Sequence, residues 1–269
     1  MTLLSREEEE KLGKHLTPGS WHYRAFVSPP DKYDLVSALQ FSLLVTLGLR
    51  EEHFLLDIGC GSLRGGRLFI PYLLPGRYFG VEPEQWLIDD GIKNELGEDI
   101  INVKRPTFYN DRNFSFGVFN QKFDFILAQS IFSHAAQKQI EQCLAEVRKV
   151  MKPTTIFAAN FVEGETNHTG ESWVYPGSTA YTLDYMIHLV EAQGLACKAI
   201  YWPHPVGLRW IVIVHPGYEH SIPPLHETFL SMKAEIDMYK QRLGILQNHP
   251  YVRIGLLINK FLRRIKSKD

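Results

Sequence analysis

The fold of this chain is decided by the stretch His53-Phe-Leu-Leu-Asp57-Ile-Gly59-Cys-Gly61-Ser-Leu-Arg64-Gly65-Gly66. Its apolar run is short and stops at a glycine cluster, which is typical of a buried parallel strand. Gly59 and Gly61 have no Cβ, so the backbone can turn sharply there and let a ligand approach the main chain. The stretch therefore predicts a strand, a ligand-binding turn and a helix over 65–74 whose free N–H groups face the ligand.

Two kinds of nucleotide-binding loop begin in this way, and their spacing separates them. A dehydrogenase loop, G-x-G-x-x-G, holds a pyrophosphate at a helix N-terminus. Here Arg64 occupies the position of the third glycine, and Asp57 at the strand end would repel a pyrophosphate. The loop resembles instead D-x-G-x-G, the first motif of the class I S-adenosylmethionine-dependent methyltransferases, with Asp57, Gly59 and Gly61 in the matching positions. That family's third glycine is Leu63 here, and a tight turn without a ligand is the alternative interpretation.

The resemblance implies S-adenosylmethionine as the cofactor and assigns roles at the ends of the following strands. Glu82 ends a predicted strand at the separation at which related folds hold a ribose, and one carboxylate can accept both ribose hydroxyls. Asp111 follows the third strand, where the family reads the adenine amino group. Gln129 and Ser130 follow the fourth strand, where the family lines the methionine end of the cofactor. A helix start at Glu82 and a loop turn at Asp111 are the alternatives.

Three further features are candidates for catalysis or acceptor binding. His134 has an ordinary pKa near neutrality, which suits removal of a proton from an acceptor hydroxyl; the alternative is that it caps a helix or hydrogen-bonds a neighbouring loop. Arg64 and Arg67 flank the glycine loop and could pair with a cofactor or substrate carboxylate, or be solvated. The loop after the fifth strand, 163–178, is long, polar and aromatic. It predicts a substrate lid in which His168, Trp173 and Tyr175 face a polar acceptor such as a sugar, with a mobile surface loop as the alternative.

Apolar runs alternate with amphipathic stretches along the chain, which indicates βαβ units. We expect helices over 34–49, 65–74, 84–95, 135–151 and 181–193, and strands over 53–58, 78–82, 100–103, 123–128 and 155–161. Only six residues separate the last two strands, 198–202 and 209–215, too few for a parallel crossover, so these strands must form a hairpin. The fold class predicted is α/β: a Rossmann-like, doubly wound, mostly parallel seven-stranded sheet that ends in an antiparallel hairpin.

Composition limits the classes of function. With 269 residues and 45% hydrophobic content, the chain can bury one full α/β domain, predicted over 1–216, followed by a helical extension over 217–269. A net charge of -1 provides no general attraction for nucleic acid, which is therefore a disfavoured partner. The three widely spaced cysteines indicate neither a disulfide framework nor a metal site. An acidic start and no apolar run of membrane-spanning length favour a cytoplasmic protein.

The extension carries two patterns of its own. Apolar residues recur at spacings of 4 and 3 over 225–246, a heptad seam that predicts a homodimer, or packing back onto the domain. Residues 252–268 are apolar with a basic end, which predicts contact with an anionic membrane surface, or ordinary packing. The function predicted from the whole chain is methyl transfer (EC 2.1.1 class), as O-methylation of a small polar or glycan-type acceptor. The alternatives are a non-catalytic cofactor-binding partner subunit and an NAD-dependent oxidoreductase.

Overall fold

A computed structural model describes residues 6–223, together with the single positions Leu225 and Met238. The chain divides into two compact units, Met1–Pro223 and Pro224–Asp269. Apart from Leu225 and Met238, the heptad seam over 225–246 and the basic segment over 252–268 lie outside the described residues. The homodimer, the membrane-surface contact and a domain boundary at residue 216 therefore stay predictions.

Helices and strands alternate through the first unit. The helices are α1 (Arg6–Lys11), α2 (Tyr33–Thr46), α3 (Gly66–Tyr72), α4 (Gln85–Gly91), α5 (Glu98–Lys104), α6 (Gln137–Val150) and α7 (Leu183–Ala192). The strands are β1 (Leu55–Ile58), β2 (Tyr78–Val81), β3 (Thr107–Tyr109), β4 (Phe123–Ala128), β5 (Met151–Glu163), β6 (Ala180–Tyr181), β7 (Ala196–Ile200) and β8 (Arg209–Val214). A π-helical turn, Ile92–Leu96, extends α4. Among the described residues, the helices are all too short or too polar to cross a membrane.

The strands form one sheet in the order β3-β2-β1-β4-β5-β8-β7, and the two-residue β6 pairs with the end of β5. The first five strands run parallel, whereas β8 is antiparallel to both β5 and β7. The predicted fold class and its closing hairpin are thus confirmed, with β6 as a short addition. The strand order reverses between β1 and β4, and in such sheets a ligand crevice opens at that point beyond the carboxyl ends of the strands.

Alternation along β1 assigns its side chains to the two faces of the sheet. Leu56 and Ile58 belong to the main hydrophobic core, which the apolar sides of α6 and α7 cover. Asp57 points to the other face, where its carboxylate meets Tyr78 and where a Cβ on Gly66 of α3 would lie 3.0 Å from the Tyr78 hydroxyl. Helices on both faces therefore fix the end of β1, from which the glycine loop departs.

The strand predicted over 100–103 is wrong, because these residues belong to helix α5. Ile100, Ile101 and Val103 favour a strand by side-chain type alone. The charges at the two ends oppose that preference: Glu98 and Asp99 lie in the first helical turn and Lys104 in the last, which complements the helix dipole. The third strand begins three residues later, at Thr107, and Asp111 still follows it.

A buried ion cluster attaches the N-terminal segment to the domain. Glu95, in the π-helical turn, accepts hydrogen bonds from Arg24 Nη2 at 2.5 Å, Arg67 Nη1 at 3.0 Å and the Tyr23 hydroxyl at 3.0 Å. The side chains of Arg24 and Glu95 are each only 7% exposed. Arg67 also pairs with the exposed Asp34 at 2.8 Å. Glu95 and Asp34 together balance the charges of Arg24 and Arg67, and Glu95 joins the segment before α2 to α3 and α4.

Removing this carboxylate is expected to destabilise the fold. Glu95→Gln removes the buried counter-ion of two arginines and leaves them only the exposed Asp34, which should lower the free energy of unfolding by about 3 kcal/mol or more. Glu98→Gln is the control, because Glu98 is exposed, and should cost less than about 1 kcal/mol. Urea unfolding of the two variants measures both values. Equal, small losses would show that the cluster does not hold the segment.

Candidate functional site

A cavity of about 440 Å³ opens beyond the carboxyl ends of β1, β2 and β4. It includes seven of the eight residues that the sequence assigns to cofactor binding or catalysis. They are Gly59, Gly61, Glu82, Asp111, Gln129, Ser130 and His134. Residues that are dispersed from Gly59 to His134 in the sequence are therefore collected at one crevice, as the strand order requires.

The glycine loop forms the floor of the cavity. Gly59 and Gly61 have φ of 68° and 54°, in the left-handed region that favours glycine. A Cβ at Gly59 would lie 2.1 Å from Ile131 Cδ1, and a Cβ at Gly61 would lie 2.9 Å from Val27 Cγ1. Leu63, at the family's third glycine position, also has a positive φ of 58°. The loop keeps a glycine-type backbone there, and complete burial of the leucine side chain offsets the strain.

Asp57 is the predicted residue that the structure places outside the lining. Its side chain is buried beneath the loop, where Oδ2 accepts a 2.6 Å hydrogen bond from the Tyr78 hydroxyl. Burial raises the pKa of Asp57 to about 6, against the opposing effects of the Tyr78 hydrogen bond and the Arg64 charge. Its contact here is structural, and direct cofactor binding by Asp57 stays a prediction.

Glu82 lies on the cavity wall with its carboxylate held by two backbone groups. Oε2 accepts from the amide of Gly61 at 3.0 Å, and Oε1 accepts from the amide of Glu84 at 3.0 Å. Each carboxylate oxygen retains a second lone pair for a ligand hydroxyl. Burial raises the pKa of Glu82 to about 7, although both hydrogen bonds oppose this. The end of β2 is therefore joined directly to the glycine loop, in a position that suits a ribose.

Asp111 lines the cavity but also stabilises its own turn. Its Oδ2 accepts from the backbone amides of Ser115 at 2.7 Å and Asn113 at 3.0 Å. This is the turn-forming use that loop aspartates commonly have. These hydrogen bonds give Asp111 a structural role, and its contact with adenine stays a prediction.

A buried amide network orients the residues after β4. Asn160, fully buried on β5, accepts from the Ser130 amide through Oδ1 at 2.7 Å and donates from Nδ2 to Gln129 Oε1 at 2.8 Å. Gln129 Nε2 then donates to Ser130 Oγ at 2.8 Å and meets His204 Nε2 at 2.9 Å. Asn160 thus holds Ser130 at its positive φ of 61° and fixes which end of the Gln129 amide is the donor. Burial and then the Arg64 charge lower the pKa of His204 to about 4, so its ring is neutral and can accept.

His134 is held through one ring nitrogen. Nδ1 lies 2.7 Å from the Gly177 carbonyl oxygen and 3.0 Å from that of Val174. Carbonyl oxygens only accept, so Nδ1 carries the proton and, in the neutral ring, Nε2 is an acceptor. Burial lowers the pKa of His134, which favours this neutral form at physiological pH. Among the described residues, Nε2 has no hydrogen-bond partner, so the geometry suits a base and a loop anchor together.

The cavity cover comes from two segments. Trp173 and Tyr175 of the 163–178 loop line the cavity, as do Phe26 and Val27 of the N-terminal segment. The Tyr175 ring lies 5.3 Å from Phe26 and 5.2 Å from His134 between centroids. His168 is not part of the lining. Instead its ring packs near Tyr181, at 6.4 Å.

Sequence reasoning missed two contributions to this site. Phe26 and Val27 precede the βαβ pattern and carry no motif, so nothing in the sequence pointed to them. Asn160 gave a usable signal: it is the one polar residue in the apolar run from Ile156 to Phe161. A buried polar side chain in a central strand requires a partner, and here the partners lie at the site.

Residues 56–157 match a family model described as a methyltransferase domain. The chain thus matches a methyltransferase domain over a segment that runs from β1 into β5. Its fold is similar to magnesium protoporphyrin IX methyltransferase from Synechocystis PCC 6803 with bound S-adenosylmethionine (TM-score 0.55, 10% identity, 78% of this chain and 92% of that chain). It is also similar to the glycopeptide N-methyltransferase MtfA (TM-score 0.52, 11% identity, 67% and 94%) and to DhpI with S-adenosylhomocysteine (TM-score 0.51, 14% identity, 79% and 100%). The family model and the folds of these neighbours agree with the resemblance that the glycine loop carries.

The close approach at Gly61 generates a prediction for stability and ligand binding. Gly61→Ala and Gly76→Ala both place a Cβ at positive φ, but a Cβ at Gly76 meets no atom of the described residues within 4 Å. Gly76→Ala should therefore cost only the left-handed strain, about 1–2 kcal/mol of unfolding free energy. Gly61→Ala should cost about 1–3 kcal/mol more, because Val27 must move, and should raise the Kd for S-adenosylhomocysteine at least tenfold. Chemical unfolding and calorimetric titration measure these effects, and indistinguishable variants would contradict the assignment.

The raised pKa of Glu82 predicts opposite pH trends for binding and stability. Ligand affinity should increase as the pH rises through about 7, because the ionised carboxylate accepts hydroxyl donors better. Without ligand, the folded state binds the proton more tightly than the unfolded state, whose ordinary value is 4.5. The Glu82 contribution to stability is therefore present below pH 4.5 and is lost as the pH rises through about 7. Calorimetry and unfolding across this range, with Glu82→Gln as the non-titrating control, test both trends.

Proposed function

We propose that this methyltransferase transfers the methyl group of S-adenosylmethionine to a hydroxyl oxygen of a small polar or glycan-type acceptor. The observation that carries the proposal is one cavity lined by the glycine loop, by Glu82 and by His134 with an open Nε2. When bound, S-adenosylmethionine supplies an electrophilic methyl carbon, and the electrons of the broken carbon–sulfur bond stay on sulfur. The ligands named for the Synechocystis enzyme and for DhpI support the same donor here.

The residues present fit this donor. Gly59 and Gly61 add no side chain of their own to the cavity floor, and Glu82 offers free lone pairs for the two ribose hydroxyls. Gln129 and Ser130, held by Asn160, form the wall beyond β4. We assign these residues, with Asp57 and Asp111 as further candidates, to cofactor binding.

His134 has the properties of the base that O-methylation of an alcohol needs. Neutral imidazole with the proton on Nδ1 can take the acceptor's hydroxyl proton at Nε2 and later release it to solvent. The two backbone carbonyls at Nδ1 stabilise the imidazolium formed in this step, because both accept from a positively charged ring. Residues that orient the acceptor supply the rest of the rate through alignment.

Aromatic rings on the cavity wall support a glycan-type acceptor. Phe26, Trp173 and Tyr175 present faces that can cover the C–H groups of a sugar, and Trp173 is 41% exposed. Among the fold neighbours, MtfA is named as an N-methyltransferase of glycopeptides, so a nitrogen acceptor is the second candidate. We also propose a cytoplasmic location, a homodimer through 225–246 and contact with a membrane surface through 252–268. A non-catalytic, cofactor-binding partner subunit is the alternative to this proposal.

The donor is tested by thermal-shift titration with S-adenosylmethionine, S-adenosylhomocysteine, NAD and NADP. At about a hundredfold Kd, a ligand of the folded state adds about 2.7 kcal/mol of stability, and hence about 5–10 °C for a chain of this size. The shift should occur with S-adenosylhomocysteine and be lost in Glu82→Ala. A response to NAD alone, or to none of the four, would reject the proposal.

The base is tested by His134→Asn. The Asn amide keeps an N–H donor near the position of Nδ1 for the two carbonyls but has no basic nitrogen. S-adenosylhomocysteine should bind within about threefold of wild type, whereas release of S-adenosylhomocysteine from S-adenosylmethionine with a panel of neutral and acidic sugars should fall about 10²- to 10⁴-fold. Unchanged turnover would exclude His134 as the base. Binding without turnover on any acceptor, in wild type too, would favour the partner-subunit alternative.

A further inference from the structure

Arg64 directs a buried guanidinium into the cavity. The residue is 7% exposed, and its Nη1 donates a 2.8 Å hydrogen bond to the Val27 carbonyl oxygen. Among residues 6–223, no carboxylate lies within ion-pair distance of it, although the buried Asp57 is near enough to affect its pKa. One face of the guanidinium fork is therefore tethered to the N-terminal segment, and the rest of it borders the cavity.

The other arginines of this region are paired. Arg24 and Arg67 share Glu95 and Asp34, and the exposed Arg112 pairs with Glu84 at 2.7 Å on the cavity rim. A buried charge without a counter-ion is costly, and proteins usually provide a partner for it. Burial lowers the pKa of Arg64 to about 10, a value that still leaves the group charged at neutral pH. The missing partner is thus an anion that the cavity itself would receive.

The surroundings of Arg64 indicate which part of the cavity it serves. Its tether, Val27, adjoins Phe26, whose ring packs on Tyr175, and the Tyr175 ring packs on His134. These groups belong to the cover and to the loop after β4, on the side of the site that contains the proposed base. Glu82, the ribose candidate, lies at the end of β2. Arg64 is therefore on the side to which the proposed function assigns the amino-acid end of the donor and the acceptor.

We propose that Arg64 is the carboxylate receptor of this cavity, an inference that rests on the proposed function. A planar guanidinium with free N–H groups binds a carboxylate through two parallel hydrogen bonds. Two sources present that group here: the amino-acid carboxylate of the donor, and the carboxylate of an acidic acceptor such as a uronic acid. From the sequence, Arg64 and Arg67 are equal candidates to bind a carboxylate. The structure distinguishes them, because of the two only Arg67 forms ion pairs with described acidic residues.

The donor source is tested with a matched ligand pair, S-adenosylhomocysteine and its decarboxylated form, which differ only in the carboxylate. Wild type should bind the carboxylate form about 10- to 100-fold more tightly, as expected for hydrogen bonds to a charged group. Arg64→Met should remove the preference without weakening the decarboxylated ligand, and Arg64→Lys should leave an intermediate preference. Arg112→Met is the control, because it removes a rim arginine that is already paired.

The acceptor source is tested by thermal shift on the protein saturated with S-adenosylhomocysteine. If the acceptor supplies the carboxylate, wild type shows no preference within the ligand pair, but glucuronate raises its Tm further while glucose does not. Arg64→Met should lose that increment. Wild type could distinguish neither S-adenosylhomocysteine from its decarboxylated form nor glucuronate from glucose. In that case Arg64 is not a carboxylate receptor, even though the donor binds. If neither donor analogue binds at all, the proposed function fails and this inference fails with it.

Wild-type results can reject the proposal by themselves, and if Arg64→Met does not fold, the comparison of wild type with Arg64→Lys decides it. Arg64→Lys retains the charge and serves as the second variant in that case. A structural role in holding Val27 would weaken both members of each pair equally. Only recognition of the carboxylate changes their ratio.

Discussion

The left-handed turn between β1 and α3 is the constraint on which the site depends. Three alternate residues, Gly59, Gly61 and Leu63, have positive φ, and the chain reverses there without side chains on the cavity side of the glycines. The space left by the two missing Cβ atoms is occupied from above by Ile131 and Val27. The loop after β4 and the N-terminal segment can therefore approach the floor only because the floor is made of backbone.

Buried polar groups then hold this geometry in place. Glu82 receives the Gly61 amide, so the end of β2 and the glycine loop form one unit. Asn160 does the same for the loop after β4 through the Ser130 amide. Burying the Glu82 carboxylate and the Asn160 amide removes both groups from water, which is unfavourable. Several hydrogen bonds to buried groups that would otherwise be unpaired offset this cost. The raised pKa values of Asp57 and Glu82 are the visible cost of placing acids in this setting.

The sequence was most informative where local chemistry and topology agree. Glycines after an apolar run predict the turn, and a six-residue connection between two strands permits only a hairpin. Side-chain preference alone failed at 100–103, where β-branched residues lie in a helix whose terminal charges decide the outcome. Contacts between distant segments also could not be predicted, because no pattern links Val27 to Gly61 or Asn160 to Gln129. The difference in ion pairing between Arg64 and Arg67 could not be predicted either, since it depends on where Glu95 lies.

Hydrogen bonds join His134 to the loop at Val174 and Gly177, so the same contacts close the cavity and prepare the imidazole to accept a proton. The imidazole proton has its acceptors only when those carbonyls cover the site, and the Val174 amide in turn donates to the His134 carbonyl oxygen at 2.8 Å. An open cavity would release Nδ1, and with it the preference for the tautomer that leaves Nε2 basic. The loop that covers the cavity therefore also sets the tautomer in which His134 Nε2 can act as a base.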